Sequence, residues 1–190
     1  MSDDIDAHYF LSCGCEYYAT ARWAMSAQRS WVCGNLFHHA VETILKAGLA
    51  KNAKTLAELQ RMGHKLKELW RAYKAGYPNV DLTRHDKTID RLDRFEEIRY
   101  PNTALNSIGV SMQWSGEPLD VKAHGELKAP RLYVIVVSDI DDLVADLLKT
   151  SSWNLGVVMG SNQAALEAIK RENRHADFLT TVIQHGDAPP

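Results

Sequence analysis

Pro101 divides the chain into two patterns. Before it, from Asp6 to Tyr100, apolar residues recur at helical spacing; after it they alternate as they do along a strand. Because a proline pushes the preceding residue out of the helical region, the last of the helices must end at Tyr100. In the first segment Phe10, Cys13, Tyr17, Ala21 and Ala24 recur about every 3.5 residues, widened by Leu11, Tyr18 and Met25, which predicts one long amphipathic helix. Ser30 can cap a second helix, with Val32, Leu36, Ala40, Val41, Ile44 and Leu45 on one face and Gly48 near its end. Thr55 and Glu58 form a capping box for a third, with Leu56, Leu59, Leu66, Leu69 and Tyr73 inward, stopped by Gly76 and Pro78. A fourth runs from about Asp81 to Tyr100 with Leu82, Ile89, Leu92 and Phe95 inward.

Beyond Pro101, Ile108, Val110, Met112 and Trp114 alternate with smaller or polar residues, and Leu132 to Val137 is a continuous β-branched run. The two strands can pair, but the link from Ser115 to Pro130 is too long for a tight hairpin and leaves the register open. Ser138 with Asp141 then starts a fifth helix to about Lys149, and Ser161 to about Phe178 makes a sixth. Gly156 and Gly160 are turn residues, since no Lys-Ser/Thr follows to make a phosphate loop. The expected fold is therefore mainly α. It is an antiparallel helical bundle of about four to six helices with a small β appendage, two strands around 107–114 and 131–137. We expect a single domain over 1–190, with the bundle core at 6–102, a β insertion at 103–137 and C-terminal helices at 138–180.

With 190 residues, 45% of them hydrophobic, the chain can bury roughly 70% of the surface its unfolded form exposes, so it needs no disulfide or metal to fold. A net charge of -2 gives no overall field for duplex nucleic acid or an anionic membrane. Three cysteines without paired spacing, an acidic amino terminus and the lack of any long apolar run lead us to expect a cytoplasmic protein with no membrane segment.

The candidate chemistry sits on the second and fourth helices. Asn35, His39, Glu42 and Lys46 fall within about 60° of one another, opposite the apolar stripe, with His38 to one flank. Such a line is either a solvated face or a polar groove. His39 and Glu42, three apart, could stand side by side as metal ligands. A ferritin-like site needs that pair twice, however, and no second Glu-x-x-His exists, so we expect no metal and no cofactor. The adjacent rings of His38 and His39 should diverge by about 100° and not share one ion. Arg99 falls in phase with Leu92 on the fourth helix, with Glu96 beside it; its guanidinium either reaches the helix's last carbonyls, or meets a carboxylate, for which Glu42 is the candidate, or a ligand phosphate. Between Lys51 and Lys74 seven Lys or Arg face only Glu58 and Glu68, a basic stretch that is either solvated or an edge for phosphate contacts.

Taken in order, these segments resemble the HEPN superfamily of helical nucleotide-binding domains. His39-Ala40-Val41-Glu42-Thr43-Ile44-Leu45-Lys46-Ala47 is similar to its Gln-Ala-Ala-Glu-x-x-Leu-Lys-Ala helix, His64-Lys65-Leu66 with Leu69 to its Thr-His-x-Leu-x-x-Leu segment, and Arg99-Tyr100-Pro101 to its Arg-Tyr-Pro helix ending. Tyr17, Tyr18 and Ala21 fit its long first helix, so the resemblance covers residues 6 to about 102. It implies a helical bundle, usually dimeric, with either metal-independent RNA cleavage or binding without chemistry. The cleaving members carry Arg, four to six residues, then His, and none of the eight histidines here has an arginine five to seven positions before it. The expectation is thus a non-catalytic homodimer that binds a nucleotide, RNA or a partner protein, one of nucleotidyltransferase type among the candidates, with Glu42, Lys46, His64, Arg99 and His39 as ligand-binding residues. Two alternatives stand beside it. One is a divergent ribonuclease using His39 or His64 as acid-base, with Arg99 on the phosphate; the other is a structural subunit of a toxin-antitoxin or phage-defence assembly.

Overall fold

The computed structural model describes residues 2–99, 108–117, 131–153 and 163–181. It is mainly helical with a small two-stranded parallel sheet. In chain order the elements are α1 (Ser2–Ser26), α2 (Ser30–Lys51), α3 (Leu56–Met62), α4 (Leu66–Gly76), a 3-10 turn (Thr83–His85), α5 (Asp86–Asp93), a second 3-10 segment (Arg94–Arg99), β1 (Ile108–Gln113), β2 (Arg131–Val136), α6 (Val137–Thr150), α7 (Gln163–Lys170) and α8 (Ala176–Thr180). None of these helices is long and apolar enough to cross a membrane.

Helix α2 is the hub, touched by α1, α4, α5 and α6. Its contacts with α1 climb one helix as they descend the other: Tyr18 packs on Phe37, and the Cys33 thiol meets the Ala21 carbonyl. Gly34 lets Phe95 lie directly on the α2 backbone, since a Cβ there would stand 2.1 Å from the ring. Enclosure from several sides explains why α2 departs from the expected one-faced pattern. His38, Glu42 and Lys46 are buried along with Ala40, Val41, Ile44 and Leu45, whereas Val32, expected inward, lies 54% exposed at the open amino-terminal end.

Five of the predicted helices differ from expectation in their boundaries or caps. The third helix is two, because Gly63 adopts a φ of 58° and turns the chain between α3 and α4, leaving Leu56 exposed. The Thr55–Glu58 capping box is present as expected. The fourth predicted helix is α-helical only over α5, flanked by 3-10 turns, although Leu82, Ile89, Leu92 and Phe95 are all buried. Ser30 is the first residue of α2 rather than its cap, with Arg29 in the cap position. Likewise Asp141 does not cap α6, because its carboxylate is turned inward to Arg22. The sixth helix is broken into α7 and α8 by a turn in which Glu172 takes a φ of 49°. The expected helix end at Tyr100-Pro101, the start at Ser161 and the turns at Gly156 and Gly160 lie outside the described residues.

On α1 the buried stripe is centred on Leu11, Tyr18 and Met25, with Cys15 and Arg22, while Phe10 and Cys13 fall at its edge and Tyr17 is exposed. Strands β1 and β2 pair in parallel, Ile108 with Arg131 through Gln113 with Val136. A parallel pair requires its connection to travel back along the whole strand, which accounts for the long link. β2 then feeds directly into α6, and Ser138 N–H bonds to the Trp114 carbonyl to hold the junction.

Candidate functional site

Four side chains converge on the carboxylate of Glu42, which is only 2% exposed. Lys46, one turn along α2, donates to Oε1 at 2.6 Å. His64, brought in from the turn that Gly63 makes, donates through Nδ1 to both oxygens at 3.0 and 3.1 Å. His39 Nδ1 lies 3.3 Å from Oε2. His38 approaches from the other side, its Nε2 3.9 Å from Oε2. Burial alone would raise the Glu42 carboxyl, but the hydrogen bonds from His39, Lys46 and His64 outweigh it together, lowering the group to about 2. Glu42 is therefore ionised throughout the physiological range.

The helical line Asn35, His39, Glu42 and Lys46 is thus no solvated face in its second half. It is a buried charge that α4 and its preceding turn cover. The expected divergence of His38 and His39 is only partly realised, since both long side chains pivot back toward the same oxygen. His38 donates through Nδ1 to the Leu92 carbonyl at 3.0 Å, and its Nε2 has no hydrogen-bond partner among the described residues. The same nitrogen also stands 3.8 Å from Glu96 Oε2.

Outward of Glu42 opens a groove of about 450 Å³. One wall, from the turn and α4, carries His64, Lys65, Lys67, Glu68 and Arg71 and is mainly cationic; the other, from the end of α5 and the 3-10 segment, carries Asp93, Glu96 and Glu97. His64 joins the two levels, its side chain 60% exposed to the groove while its Nδ1 is held by the buried carboxylate. Lys65 pairs with Glu68, and Lys67 with Asp90 and Asp93. Arg71 has no partner among the described residues.

No protein-family model, curated protein or solved structure matches this chain. What the site can do therefore rests on its own geometry. The structure brings Glu42, Lys46, His39 and His64 together as one cluster, and the side chain of Arg99 lies outside the described residues, so the expected Arg99–Glu42 pair is not part of the description. The basic stretch from Lys51 to Lys74 is largely neutralised, with Lys54 on Glu58, Lys74 on Asp86, and Lys51 and Arg61 on carbonyls.

Sequence reasoning missed two features. Arg71 was only one of seven cations in the stretch, and only the fold shows that the other charges nearby are spent. The second is a buried knot away from the groove. Arg22, wholly enclosed, donates to both oxygens of Asp141 and to the carbonyls of Ala168 and Arg171, while Tyr18 donates to Asp141 and Asn173 to Tyr18. A signal for it was available, since Arg22 falls in helical phase with Leu11, Tyr18 and Met25.

Proposed function

We propose that this chain is a helical, HEPN-like binding module that takes a phosphate-bearing ligand, a nucleotide or single-stranded RNA, in the groove beside α4 and performs no chemistry on it. The observation that supports this reading is a cationic wall with the unspent Arg71 facing an acidic wall across one groove. Arg71, Lys65 and His64 suit phosphate oxygens, for which the guanidinium fork is shaped. The carboxylates of the opposite wall suit the amino groups of a base. A duplex backbone would meet those acids unfavourably, which favours a mononucleotide or a single strand. In this arrangement Glu42 positions His64, and Lys46 and His39 neutralise Glu42.

Calorimetric titration with nucleoside triphosphates and a short single-stranded RNA, in buffer containing EDTA, tests the proposal. We expect saturable binding that weakens about tenfold in Arg71→Ala and falls as salt is raised. No heat of binding up to millimolar ligand, or an unchanged affinity in Arg71→Ala, would refute it.

A second reading is favoured by one distance. The rings of His39 and His64 meet edge to face with centroids 6.1 Å apart beside Glu42, an arrangement that two proton-transfer groups of a ribonuclease could use. Labelled RNA incubated with the protein in EDTA decides between them: we expect no cleavage, and sustained cleavage lost in His64→Ala would establish the second.

The family resemblance further leads us to propose an antiparallel bundle that forms a homodimer. Tyr9, Tyr17 and Trp23 on α1 and Trp31 and Val32 at the start of α2 are exposed, an apolar surface suited to a two-fold seam. Light scattering should give twice the chain mass at micromolar concentration, reduced to one chain mass in Trp23→Glu. A monomer for the parent protein would remove this proposal.

A further inference from the structure

We propose that Oε2 of Glu42 together with Nδ1 of His39 and Nδ1 of His64 forms a binding site for one divalent transition-metal ion, with zinc the best fit. The site goes beyond ligand binding in the groove, and the nucleotide titrations in EDTA keep the two questions separate.

The donor geometry comes first. A zinc ion with bonds of about 2.0–2.1 Å holds neighbouring tetrahedral donors about 3.3 Å apart. His39 Nδ1 is 3.3 Å from Oε2, and His64 Nδ1 is 3.1 Å from it. One donor atom from each of the three residues lies within 4.8 Å of the others. The remaining edge closes by a small swing of His64, which is exposed and sits on the turn made by Gly63 rather than inside a helix. His39 and Glu42, one turn apart on the enclosed helix α2, provide the rigid half of the site.

The two oxygens of Glu42 have separate duties. Lys46 holds Oε1 at 2.6 Å, whereas Oε2 receives only imidazole nitrogens. A metal on Oε2 leaves the lysine bond intact as the supporting hydrogen bond that a ligating carboxylate commonly has.

His38 closes the inner side of the cluster. Its side chain is almost wholly buried, Nδ1 donating to the Leu92 carbonyl, and its Nε2, with no hydrogen-bond partner among the described residues, lies 3.9 Å from Oε2 of Glu42 and 3.8 Å from Oε2 of Glu96. Nitrogen and oxygen donors without sulfur suit zinc, cobalt or nickel rather than calcium or magnesium. On metal entry the Nδ1 protons of His39 and His64 move to Nε2 or are released.

The test uses full-length protein stripped with EDTA and desalted, titrated with Co²⁺ as a spectroscopic probe and with Zn²⁺ by calorimetry. We expect one ion per chain, visible ligand-field bands with Co²⁺, and at least a roughly 100-fold loss of affinity in both His64→Ala and His39→Ala. His64 is exposed, so its variant should remain folded, which a circular dichroism spectrum verifies. Lys46→Met should bind zinc more weakly than the parent, by about tenfold, because it removes the hydrogen bond that supports the ligating carboxylate. Absence of ligand-field bands at equimolar Co²⁺, or bands and affinity undiminished in both histidine variants, overturns the proposal.

Discussion

Replacing Arg22 by alanine should destabilise the protein by about 3–5 kcal/mol, measured by urea unfolding at neutral pH, since it leaves the buried Asp141 carboxyl without its guanidinium. The same substitution removes the donors that tie α1 to the carbonyls of Ala168 and Arg171, so α7 and the turn after it lose their anchor. Native-state hydrogen exchange should therefore rise first in α7 and α8. Asp141→Leu alone should cost a similar amount, because it strands the arginine. The double variant Arg22→Ala, Asp141→Leu should lose less than the two single losses together, because removing both charges leaves neither of them buried without its partner. Additive losses would mean that the two residues do not act as a pair.

The second large effect falls on Glu42. Glu42→Ala should cost about 3 kcal/mol, because Lys46, only 8% exposed, is left without its carboxylate and His64 without its tether. Glu42→Gln keeps the shape but not the charge and isolates the pH dependence. The native carboxyl is held at about 2 against an ordinary 4.5. A group lowered on folding contributes stability that is fully present above its unfolded value and is lost as pH falls through the folded one. In metal-free protein the parent should therefore lose on the order of 3 kcal/mol between about pH 4.5 and pH 2 through this residue, and Glu42→Gln should show a correspondingly flatter acid limb. Parallel acid limbs in the two proteins would contradict the assignment.

Much of the architecture was legible before any coordinates, and for an identifiable reason. Periodicity reports burial, and burial dictates elements, so the helices and both strands emerged from Leu59, Leu69, Ile89 and the alternation at Ile108 to Trp114. Periodicity does not report backbone φ, so the turn at Gly63 and the 3-10 winding on either side of α5 were invisible in it. Nor does it report how many sides of a helix are covered. The line His39, Glu42, Lys46 reads as a solvated face on any helix with one apolar stripe, and becomes a buried charge cluster only because α4 folds over it. His64 was identifiable as a polar residue in a suggestive segment. That it meets Glu42, twenty-two positions earlier, depends on the Gly63 turn, and that Arg71 has no partner among the described residues depends on the acids of α5 reaching Lys67 and Lys74.

Imidazole-detected ¹H–¹⁵N NMR asks whether the Glu42 cluster holds His64 at the groove to meet a phosphate-bearing ligand. With EDTA present and ATP titrated in, the His64 ring resonances should shift saturably, those of His39 should follow by a smaller amount through Glu42, and those of His175, paired with Asp142 on another face, should stay in place. Arg71→Ala should move the His64 curve to about tenfold higher ligand concentration. Unmoved His64 resonances at millimolar ATP and at millimolar single-stranded oligonucleotide phosphate would contradict the account and leave the cluster as internal structure alone.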